Sequence, residues 1–291
     1  MLKFNIFNYA IVFVLLNANS LACKKADEGN ISGNSKDQTR DITVNHILLG
    51  NPSNATYEIV NAENYLLEQS YFISSYSSSK GIANWVSWHL EAEDLGSASR
   101  QDNFRANTNL PNGWFMVQSN SYSGSGFDRG HMCPSADRTS SVEANSATFL
   151  MTNMIPQAPR NNQGPWAQLE EYTRTQVKAG NEAYIISGTY GSGGIGSQGT
   201  VTYTLANGKI NVPTHVWKII LILPIGSDDL TRINNDTRVI AVIMPNEQTI
   251  GSNWKDYRTN IKAIETNTGY NFLSALSAGI KNSLAQKTDL L

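Results

Sequence analysis

Three apolar runs constrain the architecture first. EAYIISGTY (182–190), HVWKIILIL (215–223) and TRVIAVIMP (237–245) are short and rich in β-branched and aromatic residues, the signature of strands. YFISSYS (71–77) and NWVSWHL (84–90) read the same way, with GWFMVQ (113–118) as another strand candidate and ATFLMTNMIP (147–156) an apolar run ending in proline. In IANWVSWHL, Trp85 and His89 share one face, while Val86, Trp88 and Leu90 share the other; His89 is expected to be structural. Helical patterns fall elsewhere. Pro165 is expected to open a helix as its first residue, WAQLEEYTRTQVKAG then places Trp166, Leu169, Thr173 and Val177 near one face, and Gly180 closes it. WKDYRTNIKAIETNTG (254–269) and SALSAGIKNSLAQ (274–286) are also helix-like. Strands and helices do not alternate regularly, so the expected class is α+β, with a central, mostly antiparallel sheet flanked by helices.

The amino terminus predicts export. Lys3 precedes the apolar core YAIVFVLL (9–16), too short to span a bilayer, and NSLAC ends at Cys23. Residues 1–22 read as a signal peptide. The small residues before Cys23 resemble a bacterial lipobox, which would make Cys23 a lipid anchor; an ordinary secretory signal is the alternative. Residues 23–43 read as a flexible tether, polar and without apolar period, leaving one domain over 44–291. The expected location is secreted, periplasmic or lipid-anchored on a bacterial envelope. With Cys23 lipidated, Cys133 has no partner within the chain and reads as a small packed thiol.

Chemistry concentrates in SGFDRGHMCPSADRT (125–139), which holds one of only four histidines. From the residues alone, His131 is a general base, a metal ligand, a pH sensor or a polar loop residue. His46 and His215 read as structural or surface residues. Hydrolysis of a phosphodiester needs activated water, positive charge on the phosphoryl oxygens and support for the departing oxygen. A histidine can supply the base, an arginine the grip on phosphate, and Mg²⁺ the charge. The chain offers these types in Arg100 (SASRQDNFRAN), His131, Asn162 and Glu170, the last two in TNMIPQAPRNNQGPWAQLEEY. Glu170, five residues past Pro165, would lie ~7.5 Å along a helix. The glycine-rich GTYGSGGIGSQGT (188–200) lacks the lysine of a phosphate-binding loop and reads as a hairpin loop.

DRGHMCPSADRT, with RQDNF upstream and TNMIPQ…NNQGPWAQLEEY downstream, resembles the non-specific DNA/RNA endonuclease family with a ββα-metal (His-Me finger) site. The resemblance spans roughly residues 44–276. It implies a strand–strand–helix unit and these roles: His131 as general base, Asn162 as the direct protein ligand of Mg²⁺, and Glu170 as the group that orients the ion's waters. It further implies that Arg100 stabilises the transition state, that Asn153 supports the site from behind, and that Asp128 and Arg129 position the histidine loop and substrate. Mn²⁺ is an alternative ion. The implied activity is hydrolysis of DNA and RNA with little sequence preference, leaving 5′-phosphate ends. The formal net charge of −2 argues against a broadly basic surface, so affinity is expected to be weak and to rest on local arginines: Arg105, Arg138, Arg160 and Arg174. No protein partner is expected. The rival reading is a surface-anchored lipoprotein that binds nucleic acid without cutting; a metalloprotease lacks its HExxH signature.

Overall fold

The computed structural model describes residues 46–291; the expected signal peptide, the tether and Cys23 lie outside the described residues. The strands are β1 (Tyr65–Gln69), β2 (Phe72–Ser77), β3 (Ile82–Leu90), β4 (Asp128–His131), β5 (Met154–Gln157), β6 (Asn181–Tyr190), β7 (Gly194–Ile195), β8 (Val201–Thr202), β9 (Thr204–Leu205), β10 (Ile210–Asn211), β11 (His215–Pro224), β12 (Arg238–Pro245) and β13 (Arg258–Thr259). The helices are α1 (Val142–Ala147), α2 (Pro159–Asn161), α3 (Ala167–Lys178), α4 (Asp229–Arg232), α5 (Ile261–Thr268) and α6 (Ala278–Gln286).

One sheet of seven strands, ordered β1-β2-β3-β6-β11-β12-β13, is antiparallel throughout. Successive side chains along a strand point to opposite faces, and β11 shows why its run is apolar at nearly every position. Val216, Ile220 and Ile222 join one buried cluster, while Trp217, Ile219, Leu221 and Leu223 join another. The strand is covered on both sides. The first cluster takes in Trp166, Leu169 and Val177, so α3 lies on that face; the second takes in Ile261, Ile264 and Leu284 from α5 and α6. The face assignments within β3 hold: Val86, Trp88 and Leu90 go with α3, and Trp85 goes with the other side.

Outside this sheet, β4 pairs antiparallel with β5, setting His131 opposite Met154. The chain then runs into α2, a π-helical turn (Asn162–Trp166) and α3. This is the strand–strand–helix unit that the resemblance implies. Asn246 and Asn161 moor it to the main sheet: Asn246 donates to Pro156 and Pro213 and accepts from Ala158, while Asn161 donates to the Pro245 carbonyl.

Two local expectations need correction, and one needs only an addition. A short helical turn precedes Pro165, beginning at Pro159, but Gly164 (φ −105°, ψ −113°) is non-helical and breaks the run, so Pro165 is the first helical residue after the kink and leads into α3 as expected. Residues 113–118 form no strand. Trp114 instead packs edge-on to Tyr65 and stacks on Tyr76, so the apolar run there reflects side-chain packing without a ladder partner. The stretch 254–269 is not one helix either: Arg258–Thr259 pairs with β12, and Asn260 caps α5 by accepting from Ala263 N–H.

Candidate active site

His131 ends β4 with its imidazole between two phenylalanines. Phe149 meets it edge-to-face at 4.9 Å and Phe104 at 5.7 Å. Each phenylalanine also carries a guanidinium: Arg100 lies 4.9 Å from the Phe149 centroid and Arg129 lies 3.7 Å from that of Phe104. Neither ring nitrogen of His131 bonds to a described residue, and Nε2 is buried without any partner. Burial, reinforced by the charges of Arg100 and Arg129, pulls its pKa down to about 3. The ring is therefore neutral near neutral pH, with a lone pair available but its basicity lowered.

The glycine beside it is a steric requirement. A Cβ on Gly130 would lie 2.1 Å from Gln157 Oε1 and 2.6 Å from Gln157 Cβ. Gln157 is fully buried and donates to Asn161 Oδ1, so it has no room to yield. Behind His131, Asn153 clamps the chain. It accepts from Cys133 N–H and donates to the carbonyls of Cys133 and Thr148. Asn153 thus acts on the backbone after His131 and not on the imidazole.

Asp128, the first residue of β4, accepts from both Asn162 Nδ2 and Gln163 Nε2 at 2.8 Å. The aspartate orients the asparagine, more directly than it does the histidine loop. With its amide nitrogen so engaged, Asn162 keeps its carbonyl oxygen free of any donor among the described residues. Arg100 is steadied by Asp102 (2.7 Å) and by Ser135 Oγ (2.8 Å), and Arg129 by the Ser119 carbonyl.

Glu170, in the first turn of α3, faces the sheet and accepts from Lys218 Nζ at 3.3 Å. Lys218 is the one charged side chain in the apolar run of β11 and is 1% exposed. Its ammonium lies 4.0 Å from the Trp166 ring. Burial raises the Glu170 pKa and lowers that of Lys218, while each charge opposes the shift in the other. Next to this pair, Asp137 accepts from Trp88 Nε1 and from Arg174. The sequence did not single out Lys218, Phe104 or Phe149. A lysine within an otherwise apolar strand was the available signal for the first; Phe104 lay inside the RQDNF block and Phe149 in the apolar run before TNMIPQ, neither with any chemistry to distinguish it.

The site brings together His131, Arg100, Arg129, Asp128 and Asn162, with Asn153 behind and Glu170 on the helix that follows. Of the four arginines expected to hold substrate, Arg160 is exposed, but Arg138 is a correction. It is 1% exposed, paired with Asp94 and bonded to the carbonyls of Tyr71, His89 and Asp137. An arginine next to Asp137 was expected to face substrate, yet β3 and the neighbouring loop enclose it. Arg174 is tied to Asp137 and Glu171, and Arg105 to backbone carbonyls. Cys133 is buried with its thiol pKa pushed up, as expected of a packed residue.

A separate trio on the far face, His89, Glu182 and Asp229, has ligand atoms within 4.8 Å of one another. A cation already stands there: Arg232 bonds to both Glu182 and Asp229, and His89 Nε2 to Glu182 Oε2 at 2.8 Å. Oxygen donors suited to a hard divalent ion, with one carbonyl unclaimed, are instead found at Asn162 and Glu170.

Residues 51–279 match the DNA/RNA non-specific endonuclease family. A nuclease of Nostoc sp. is 46% identical over 244 residues, covering 84% of this chain and 86% of that protein. Nuclease C1 of Cunninghamella echinulata is 33% identical over 238 residues, covering 78% and 89%. The crystal structure of the EndoG/EndoGI complex shares the fold, with a TM-score of 0.65 at 21% identity over 82% of this chain and 94% of that one. A half-buried histidine whose ring bonds to no described residue, set between two arginines, and a match that runs through both strands and the helix of its unit, lead to one conclusion: this chain belongs to the DNA/RNA non-specific endonuclease family and is a nuclease.

Proposed function

We propose that the chain is an exported, Mg²⁺-dependent endonuclease that hydrolyses phosphodiester bonds of DNA and RNA with little sequence preference and leaves 5′-phosphate ends. The observation that carries this reading is the neutral His131 ring, without a hydrogen-bond partner among the described residues, between Arg100 and Arg129. A phosphodiester drawn to the two guanidiniums comes beside the imidazole. One ring nitrogen takes the proton of an attacking water, the water oxygen bonds to phosphorus, and the P–O3′ bond breaks. Burial is the larger cause of the histidine's lowered basicity; the phosphate's negative charge offsets the smaller part that comes from the two arginine charges and to that extent strengthens the base. Arg100, half-exposed and steadied by Asp102 and Ser135, meets the charge that grows on the phosphoryl oxygens.

Asn162 fits a divalent ion through its unclaimed carbonyl oxygen, and Asp128 fixes that orientation. Glu170 would hold waters of the ion. Dependence on a metal is in keeping with this family of nucleases; magnesium is the ion proposed here, because neutral and carboxylate oxygens with retained waters suit it. When bound, it would add positive charge near the phosphoryl and departing oxygens. All these contacts concern phosphate and sugar, which carry little sequence information. Export rests on residues 1–22, with residues 23–43 as tether and Cys23 as a lipid anchor.

The test uses residues 24–291 with plasmid DNA and ribosomal RNA. Both substrates should be degraded with Mg²⁺ and should survive with EDTA or in His131→Ala, and end-labelling should find 5′-phosphates. Intact substrates that still shift on a gel would make the chain a binder without catalysis and sink the proposal. Membrane fractionation and mass measurement of the mature amino terminus check the anchor.

A further inference from the structure

Next to the Asp128–Asn162–Gln163 bonds lies a cleft of about 460 Å³, inside the roughly 300–1,000 Å³ range of small-ligand sites. The α2 turn, the start of α3 and the loop after β12 form it. Its lining includes Arg160, Gln163, Gln168, Gln248 and Ser252, and none of the lining residues is acidic. Three amides, a hydroxyl and one guanidinium form an unusual wall for a chain of net charge −2. Two of these groups lack firm partners. Gln248 Nε2 is shut off from solvent and bonds to nothing. Arg160 is exposed, makes no ion pair among the described residues, and reaches only the Ile250 carbonyl, at 3.5 Å through Nε. A buried donor without an acceptor is costly, and such groups in native folds call for an explanation.

The cleft is continuous with the reacting centre through Gln163, which lines it while donating to the same Asp128 oxygen as Asn162. We propose that this cleft is a flanking subsite that holds the nucleotide adjacent to the scissile phosphate on one side of the strand. Arg160 takes that nucleotide's phosphate, and the amides of Gln168 and Gln248 bond to its sugar and base edges. Amides both donate and accept, so they engage any of the bases. The inference rests on the phosphodiesterase reading of His131 and Asn162, and it adds a length requirement that the reading alone does not carry.

Single-stranded oligonucleotides with phosphorothioate at every linkage but one, extended by one to three nucleotides to either side of the normal linkage, provide the test. In wild type, the first added nucleotide on one side should raise kcat/KM, mainly by lowering KM, and further extension should add less. Arg160→Ala should cut the ratio of extended to minimal kcat/KM about tenfold, the scale of one charge-assisted hydrogen bond. Gln248→Ala should cut it less, and Arg160→Lys should recover part of the loss. An unchanged ratio in both alanine variants, or no gain from extension in wild type, would overturn the subsite. Fluorescence anisotropy of the same oligonucleotides on His131→Ala, with and without the Arg160 change, reads binding apart from cleavage. Should wild type cut nothing while that change still weakens binding of the extended strand, the catalytic reading fails and the subsite stands.

Discussion

His131 and His89 lie near opposite faces of the same sheet, each packed by aromatic rings, and they differ in one respect. His89 Nε2 bonds to Glu182, which in turn holds Arg232, and the ring packs on Tyr184 at 4.6 Å. His131 bonds to no described residue through its ring. The two carboxylate clusters differ in the same way. Glu182 and Asp229 surround an arginine and close on themselves, whereas Glu170 spends one oxygen on Lys218 and the Asn162 carbonyl meets no donor among the described residues. Buried polar groups normally find partners. A satisfied cluster supports the fold; an unsatisfied one is held ready for something outside the protein.

The largest expected effect comes from His131→Ala, which should cost on the order of 10²–10⁴ in kcat with little change in Tm. His89→Ala should do the reverse, lowering Tm by several degrees while the folded fraction keeps its nuclease rate. Steady-state kinetics beside thermal unfolding separate the two, and equal loss of activity in both variants would break the contrast. Lys218→Met comes next. It strands Glu170 as an uncompensated buried carboxylate, a change that costs about 3–5 kcal/mol in comparable buried pairs, and pairing it with Glu170→Gln should restore much of the stability but not the activity. Chemical denaturation of the single and double variants reads this. Gly130→Ala forces a clash with Gln157 and should lower kcat more than it raises KM, because it displaces His131.

The smallest effect is on pH. The His131 pKa is lower in the folded chain (about 3) than its ordinary 6.5, so the unfolded chain binds the extra proton first as pH falls. Its contribution to stability is complete above the unfolded value and is lost as pH drops from about 6.5 toward 3. His131→Gln should therefore flatten part of the acid loss of stability in that window, measured as Tm against pH. In the free enzyme, the acid limb of kcat/KM should fall below the usual histidine range; a limb near 6.5 would mean that the ring is more solvated than its packing indicates.

Much of the molecule was legible in its residues. The β-branched runs became the central strands β6, β11 and β12 nearly to the residue, because a strand covered on both faces must be apolar almost throughout. The alternation in β3 assigned its two faces correctly. Motif order placed His131, Asp128, Arg129 and Asn162 together. Where reading failed, non-local partners decided. Residues 113–118 are apolar like a strand, but they pair with no neighbouring strand. Arg138 looks like a surface cation until β3 and Asp94 enclose it.

The sequence by itself determined the sheet, the family and the chemical types at the site, since periodicity and motif spacing are properties of the chain. Tertiary structure alone decided the protonation and partnership of each group. Two phenylalanines and two arginines from separate segments keep His131 neutral, Asp128 turns Asn162 outward, and Lys218 reaches Glu170 across 48 positions of sequence. Charge burial and hydrogen-bond geometry depend on distances in space, and a linear pattern does not encode them.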